Sequence, residues 1–252
     1  MEWLDEGVVL SVRPLGETAV VASLLTQDHG RHTGLVRGGA SRRARGMLQP
    51  GNKVRCQWRG RLSEQLGAFT CELAAAPATS TLEDAARLAA LVAACAVLDT
   101  ALPEREPLPA QYKNLLTLLR ALAHDPSWPV TYVRWEASLL ADLGFGLDLA
   151  SCALTGTTHD LAFVSPRTGR AVSAGAGAAW RQRLLVLPAF LVDPTAGAAA
   201  SDIAAGLTLT GHFLSRYVYR EQGGEAPAAR ERLPATVMRA FAGHSDGPAR
   251  RG

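Results

Sequence analysis

Nine of the chain's 26 Lys and Arg residues fall in residues 29 to 63, and that stretch holds no Asp or Glu. They are Arg31, Arg37, Arg42, Arg43, Arg45, Lys53, Arg55, Arg59 and Arg61. Outside it the balance reverses, with 17 basic side chains against 23 acidic ones. Charge segregated in this way makes a field that steers an anionic partner to one face. The chemistry such residues perform is neutralisation of phosphates, which releases condensed counterions. With His32 among them, these are the candidate phosphate-contacting residues.

The elements that must position this block read as β-structure. Five short apolar or alternating runs occur at Val8 to Val12, Ala19 to Thr26, Arg31 to Arg37, Lys53 to Trp58 and Ala68 to Leu73, separated by Gly, Pro and Asp signals. Five strands in so short a span predict an OB-like closed barrel, which removes exposed sheet edges. In the fourth run Val54, Cys56 and Trp58 alternate with Lys53, Arg55, Gln57 and Arg59. Period two sends the first set inward and the second outward. The loop from Gly38 to Gly46 adds Arg42, Arg43 and Arg45 between glycines and reads as a flexible segment able to follow a curved ligand. Trp58 and Phe69 are in phase with the core, so few rings remain for base stacking. Binding is therefore expected to run through the backbone and to tolerate any sequence.

From residue 80 the period becomes helical. Ser80 and Glu83 have capping-box spacing before an Ala/Leu-rich run to Thr100. Further helices are expected over Ala110 to Ala123 and Val130 to Leu143, with Gly144 as the stop. Leu161 to Val172 reads as a small hairpin, and helical pattern returns over Ala178 to Leu187 and Ser201 to Arg220. The expected class is α+β, with a barrel domain at 1–78, a helical domain at 79–225 and a loose tail at 226–252. The longest apolar run, Leu88 to Leu98, is 11 residues and too short to cross a bilayer. The acidic start, Glu2 to Glu6, lacks the features of an export signal. A cytoplasmic protein is expected.

Several chemistries lack support in the sequence. The Gly38 to Gly46 loop has no Gly-Lys-Ser/Thr to hold a triphosphate, and no GxSxG or HExxH occurs. His29 and His32 lie beside a turn and read as exposed polar residues rather than metal ligands. Cys56, Cys71, Cys95 and Cys152 form no close pair and read as buried thiols. No enzymatic activity is expected. An OB-fold RNA binder and a protein-interaction adaptor are the alternatives that the charge block leaves open.

The phrases Gly16-Glu17-Thr18, Thr26-Gln27-Asp28-His29-Gly30 and Leu143-Gly144-Phe145-Gly146, with the distal runs LAFVSPRTGRAVS, LLVLPAFL and GLTLTGHFLSRYV, fall in one consistent order. In this the chain resembles the RecO family of bacterial DNA repair and recombination mediators. The resemblance implies an N-terminal OB domain on a helical body. It implies binding of single- and double-stranded DNA, annealing of complementary strands, and action with RecR in loading RecA onto DNA coated by single-stranded DNA-binding protein. It also implies a nucleoid-associated location. Lys113, Arg120 and Arg134, near apolar helix faces, are candidates to clamp the acidic tail of the single-stranded DNA-binding protein. Some relatives hold zinc with four cysteines near the stretch beginning at Cys152. Here Thr155 stands in the place of a second cysteine, and Ser173 to Gly177 has none. A degenerate zinc-finger-like hairpin at about 150–177, without metal or other cofactor, is the expectation.

Overall fold

Alternation dictates the first layer. In the computed structural model, which describes residues 1–62, 66–77, 81 and 83–245, five strands close a barrel. They are β1 (Glu2–Leu15), β2 (Ala19–Thr26), β3 (Gly30–Val36), β4 (Lys53–Arg59) and β5 (Gly67–Ala75), in the order β1-β2-β3-β5-β4. β1 closes the ring by serving two partners. Its first half pairs with β4 over Glu2 to Val8, and its second half with β2 over Gly7 to Leu15. A register shift between Val9 and Ser11 bends the strand as it changes partner. All pairs are antiparallel except β3 with β5. The barrel expected from the sequence is thus present.

Inside it lie Val9, Val20, Leu24, Val36, Val54, Cys56, Trp58 and Phe69, all buried. Trp58 is 1% exposed, as its phase requires. Gly34 makes this packing possible, since a Cβ there would sit 2.4 Å from the Phe69 ring. Any side chain at that position would push the ring out of the core.

The segment from Gly38 to Gly46 differs from the expected flexible loop. It folds into a helical turn, α1 (Arg42–Met47), whose Ser41 hydroxyl accepts the Ala44 amide at 3.3 Å. Ala44, Met47 and the buried Leu48 pack on the barrel core, while Asn52 Nδ2 donates to the Gly46 and Met47 carbonyls. Apolar residues three and four apart anchor one side of the turn, and the arginines occupy the other.

Packing divides the chain into two units, Met1–Pro126 and Ser127–Gly252. α2 (Ala85–Ala101) and α3 (Pro109–His124) pack in the same unit as the barrel. Asp84 caps α2, its carboxylate accepting the Ala86 and Arg87 amides. The expected cap, Ser80, lies outside the described residues. Gly30, with φ +67°, meets the Glu106 backbone so closely that no side chain would fit there.

The second unit holds α4 (Trp128–Asp142), a three-stranded sheet of β6 (Leu161–Val164), β7 (Ala171–Ser173) and β8 (Leu185–Val186), then α6 (Ala200–Phe213) and α7 (Ala228–Ser245). The expected hairpin is β6 and β7. The expected helix over Ala178 to Leu187 is instead a four-residue α5 (Ala174–Gly177), a 3-10 turn (Ala178–Arg183) and β8. The expected loose tail is corrected as far as Ser245. Leu233 and Val237, four residues apart, bury one face of α7, and Arg230 is 4% exposed. No helix among the described residues is long and apolar enough to cross a membrane.

Candidate nucleic-acid interface

The basic strand does face outward, but it does not stand alone. Because β1 pairs with β4, Glu2 sits opposite Arg59 and Glu6 opposite Arg55. Lys53 Nζ meets Glu6 Oε2 at 2.5 Å, Arg55 Nε lies 3.7 Å from Glu6 Oε1, and Arg59 meets Glu2 at 2.9 Å. The Arg59 hydrogen bond holds the Glu2 carboxyl below its ordinary range, and Lys53 does the same for Glu6. On the other flank, Glu72 of β5 pairs in register with Arg55. An acid-free stretch of sequence is therefore not an acid-free surface. Acid absent from the block arrives through strand pairing.

Arg31 is also occupied. Its Nε donates to the Leu102 carbonyl at 2.8 Å, and its guanidinium lies 3.8 Å from Asp99 and 3.7 Å from Glu104. With Thr33 donating to Glu104 and the Arg105 amide to the Arg31 carbonyl, this side chain ties β3 to the segment after α2.

His32 leaves the candidate surface altogether. It points inward on β3 and is 4% exposed, edge-on to Trp3, Trp58 and Phe69. Neither ring nitrogen has a hydrogen-bond partner among the described residues. Loss of hydration, reinforced by Arg105, lowers its pKa to about 4. His29 stacks against Trp3, 4.0 Å between centroids, with Nδ1 2.8 Å from Asp5.

What remains is a tighter set than the sequence block. Arg37, Arg42, Arg43, Arg45 and Arg61 are exposed and make no ion pair among the described residues. Four of them, Arg37 to Arg45, lie on the β3 to α1 segment. Arg45 Nε bonds the Ala40 carbonyl at 2.8 Å, which fixes one guanidinium on a turn already anchored from beneath. Such a cluster presents donors to phosphate oxygens without first breaking ion pairs.

Two family models divide the chain between them. The one described as Recombination protein O N terminal matches residues 1–76, and Recombination protein O C terminal matches residues 82–224. The chain belongs to the RecO family. DNA repair protein RecO of Rhodospirillum centenum is 55% identical over 235 residues, covering 92% of this chain and 93% of that one. DNA repair protein RecO of Rhodospirillum rubrum is 49% identical over 245 residues, with coverage of 95% and 97%. That of Phenylobacterium zucineum is 48% identical over 230 residues, with coverage of 91% and 95%.

The remaining candidates fall elsewhere in this RecO chain. Lys113 and Arg120 are exposed along α3. Arg134 is committed to backbone, donating twice to the Phe190 carbonyl and once to that of Pro194. At the hairpin, Cys152 is buried, and its Sγ accepts the Ser173 amide at 3.3 Å. No three His, Cys, Asp or Glu side chains group to hold a metal among the described residues. A single thiol does not fit the tetrahedral thiolate set of a structural zinc ion.

Proposed function

We propose that this RecO protein is a recombination mediator without catalytic turnover, acting in the bacterial cytoplasm at the nucleoid. It binds single- and double-stranded DNA without sequence preference, anneals complementary strands and, with RecR, helps load RecA onto DNA coated by single-stranded DNA-binding protein. The observation that carries this reading is the group of exposed arginines without ion pairs among the described residues: Arg42, Arg43 and Arg45 on an anchored turn of the barrel, and Arg37 before it. These side chains neutralise phosphates on two strands at once and so lower the repulsion that opposes pairing. The ion-paired Lys53, Arg55 and Arg59 contribute less, because each contact with phosphate must replace a contact with carboxylate.

Replacing Arg42, Arg43 and Arg45 together with glutamate is expected to slow annealing of complementary oligonucleotides by at least about tenfold, with the melting temperature unchanged because all three are exposed. Annealing at the parent rate would refute the reading.

A second contact follows from exposed Lys113 and Arg120, seven residues apart on α3. Two turns of helix separate them, so both point the same way and can bracket a carboxylate-rich peptide such as the tail of the single-stranded DNA-binding protein. The hairpin around Cys152 is held by packing and hydrogen bonds, and we propose that it functions without zinc.

A further inference from the structure

Residues 161 to 192 form a second stretch with no Asp or Glu, and they carry Arg167, Arg170, Arg181 and Arg183. This stretch includes the sheet of the second unit and the 3-10 turn Ala178–Arg183. No residue of that turn is buried, and Trp180 is 54% exposed. Tryptophan normally hides most of its large ring. Here the ring borders a shallow hollow of about 340 Å³ lined by Leu154, Val172, Leu184 and Arg170. Leu154 is itself 66% exposed. The Arg183 guanidinium lies 5.8 Å from the Trp180 ring centroid, within cation–π range. Arg170 is paired with Asp148 at 3.2 Å, whereas Arg167, Arg181 and Arg183 are exposed and make no ion pair among the described residues.

An exposed indole beside guanidinium groups that make no ion pair among the described residues combines the two elements of single-strand recognition. A flat π surface accepts a base, and flanking cations accept its phosphates. The barrel arginines offer only the second of these. A duplex keeps its bases stacked inside, so such a site discriminates between one strand and two. We propose that Trp180 is a stacking platform for a base of single-stranded DNA, with Arg181 and Arg183 holding the adjoining phosphates. The inference takes DNA as the ligand from the reading above but rests on different residues in a different unit.

The test is equilibrium binding by the full chain of a fluorescein-labelled thymidine oligonucleotide and of a duplex of the same length. Four variants are compared: Trp180→Ala, Trp180→Phe, Arg181→Ala/Arg183→Ala, and Arg37→Ala/Arg42→Ala/Arg43→Ala/Arg45→Ala. Trp180→Ala is expected to weaken single-strand binding by about 5- to 100-fold, the effect of losing one stacked base. Duplex binding should stay at the parent level, and Trp180→Phe should recover much of the loss. Arg181→Ala/Arg183→Ala should flatten the single-strand salt dependence by roughly 0.7 in log-log slope for each contact removed. Unchanged single-strand affinity in Trp180→Ala overturns the proposal. So does an equal loss for single strand and duplex. If the four-arginine variant binds like the parent while Trp180→Ala fails, the barrel reading falls and the stacking platform stands.

Discussion

Replacing Arg230 with methionine is expected to destabilise the protein by about 3–5 kcal/mol, the usual consequence of leaving a buried charge without its partner. Glu136 on α4 is fully buried, and Arg230 on α7 reaches it with two nitrogens, Nε to one carboxylate oxygen and Nη2 to the other at 2.8 Å. Nη2 also donates to the Leu207 carbonyl at 2.7 Å, and the Thr210 hydroxyl donates to Glu136 at 2.5 Å. One ion pair thereby joins α4, α6 and α7. In the variant, Glu136 must either stay charged in an apolar interior or take up a proton. Adding Glu136→Leu to Arg230→Met should restore most of the stability, since an apolar replacement of the whole pair removes the stranded charge. Urea unfolding of both variants checks this. Near-parent stability in Arg230→Met alone would mean that α7 is not held by this pair.

The second large effect is a loss of stability in mild acid. His32 titrates at about 4 in the folded barrel, against an ordinary value of 6.5, because burial disfavours its charged form. The unfolded chain therefore takes up a proton at higher pH than the folded one. The stability that neutral His32 represents is complete above pH 6.5 and is lost as the pH falls from there toward 4. Across that window the loss amounts to about 3 kcal/mol. Glu2 and Glu6, whose pKa values are lowered by their basic partners, add their own losses only below their ordinary 4.5. The interval from pH 6.5 to 4.5 thus separates the histidine from Glu2 and Glu6. His32→Leu should show a flatter stability profile through this interval, read by thermal or urea unfolding at stepped pH. A parent profile as flat as that of His32→Leu would contradict the buried, unpartnered ring.

Residue order alone carried the barrel a long way. Period two along Lys53 to Arg59 correctly divided Val54, Cys56 and Trp58 from the outward set, because alternation is local. The same rule, applied to Val36, Gly34 and His32, turns the histidine inward, and its identity as a basic residue obscured that signal. The neutralisation of the β4 cations was beyond any reading of the block. Glu2 and Glu6 lie some fifty residues earlier, and only strand pairing brings them alongside. The Gly38 to Gly46 turn took its order from Ala44, Met47 and Leu48, whose spacing fits a helix but spans too few residues to stand out among glycines and arginines. In α7, Ala, Pro and Arg composition masked the spacing of Arg230, Leu233 and Val237. Trp180 belongs to a run whose small residues look helical, yet the 3-10 turn it adopts buries none of them.

Free arginines, and not the ion-paired strand, are expected to make the phosphate contacts of the barrel. Single-strand binding measured against salt concentration tests it most directly. Contacts by Arg37, Arg42, Arg43, Arg45 and Arg61 predict a log-log slope of about −3.5 or steeper, at roughly −0.7 per phosphate. Alanine at the first four should flatten it by about 2.8, whereas Lys53→Ala/Arg55→Ala/Arg59→Ala should change it far less. A flat parent response, or a slope lost with the strand residues and kept without the turn arginines, would contradict the claim.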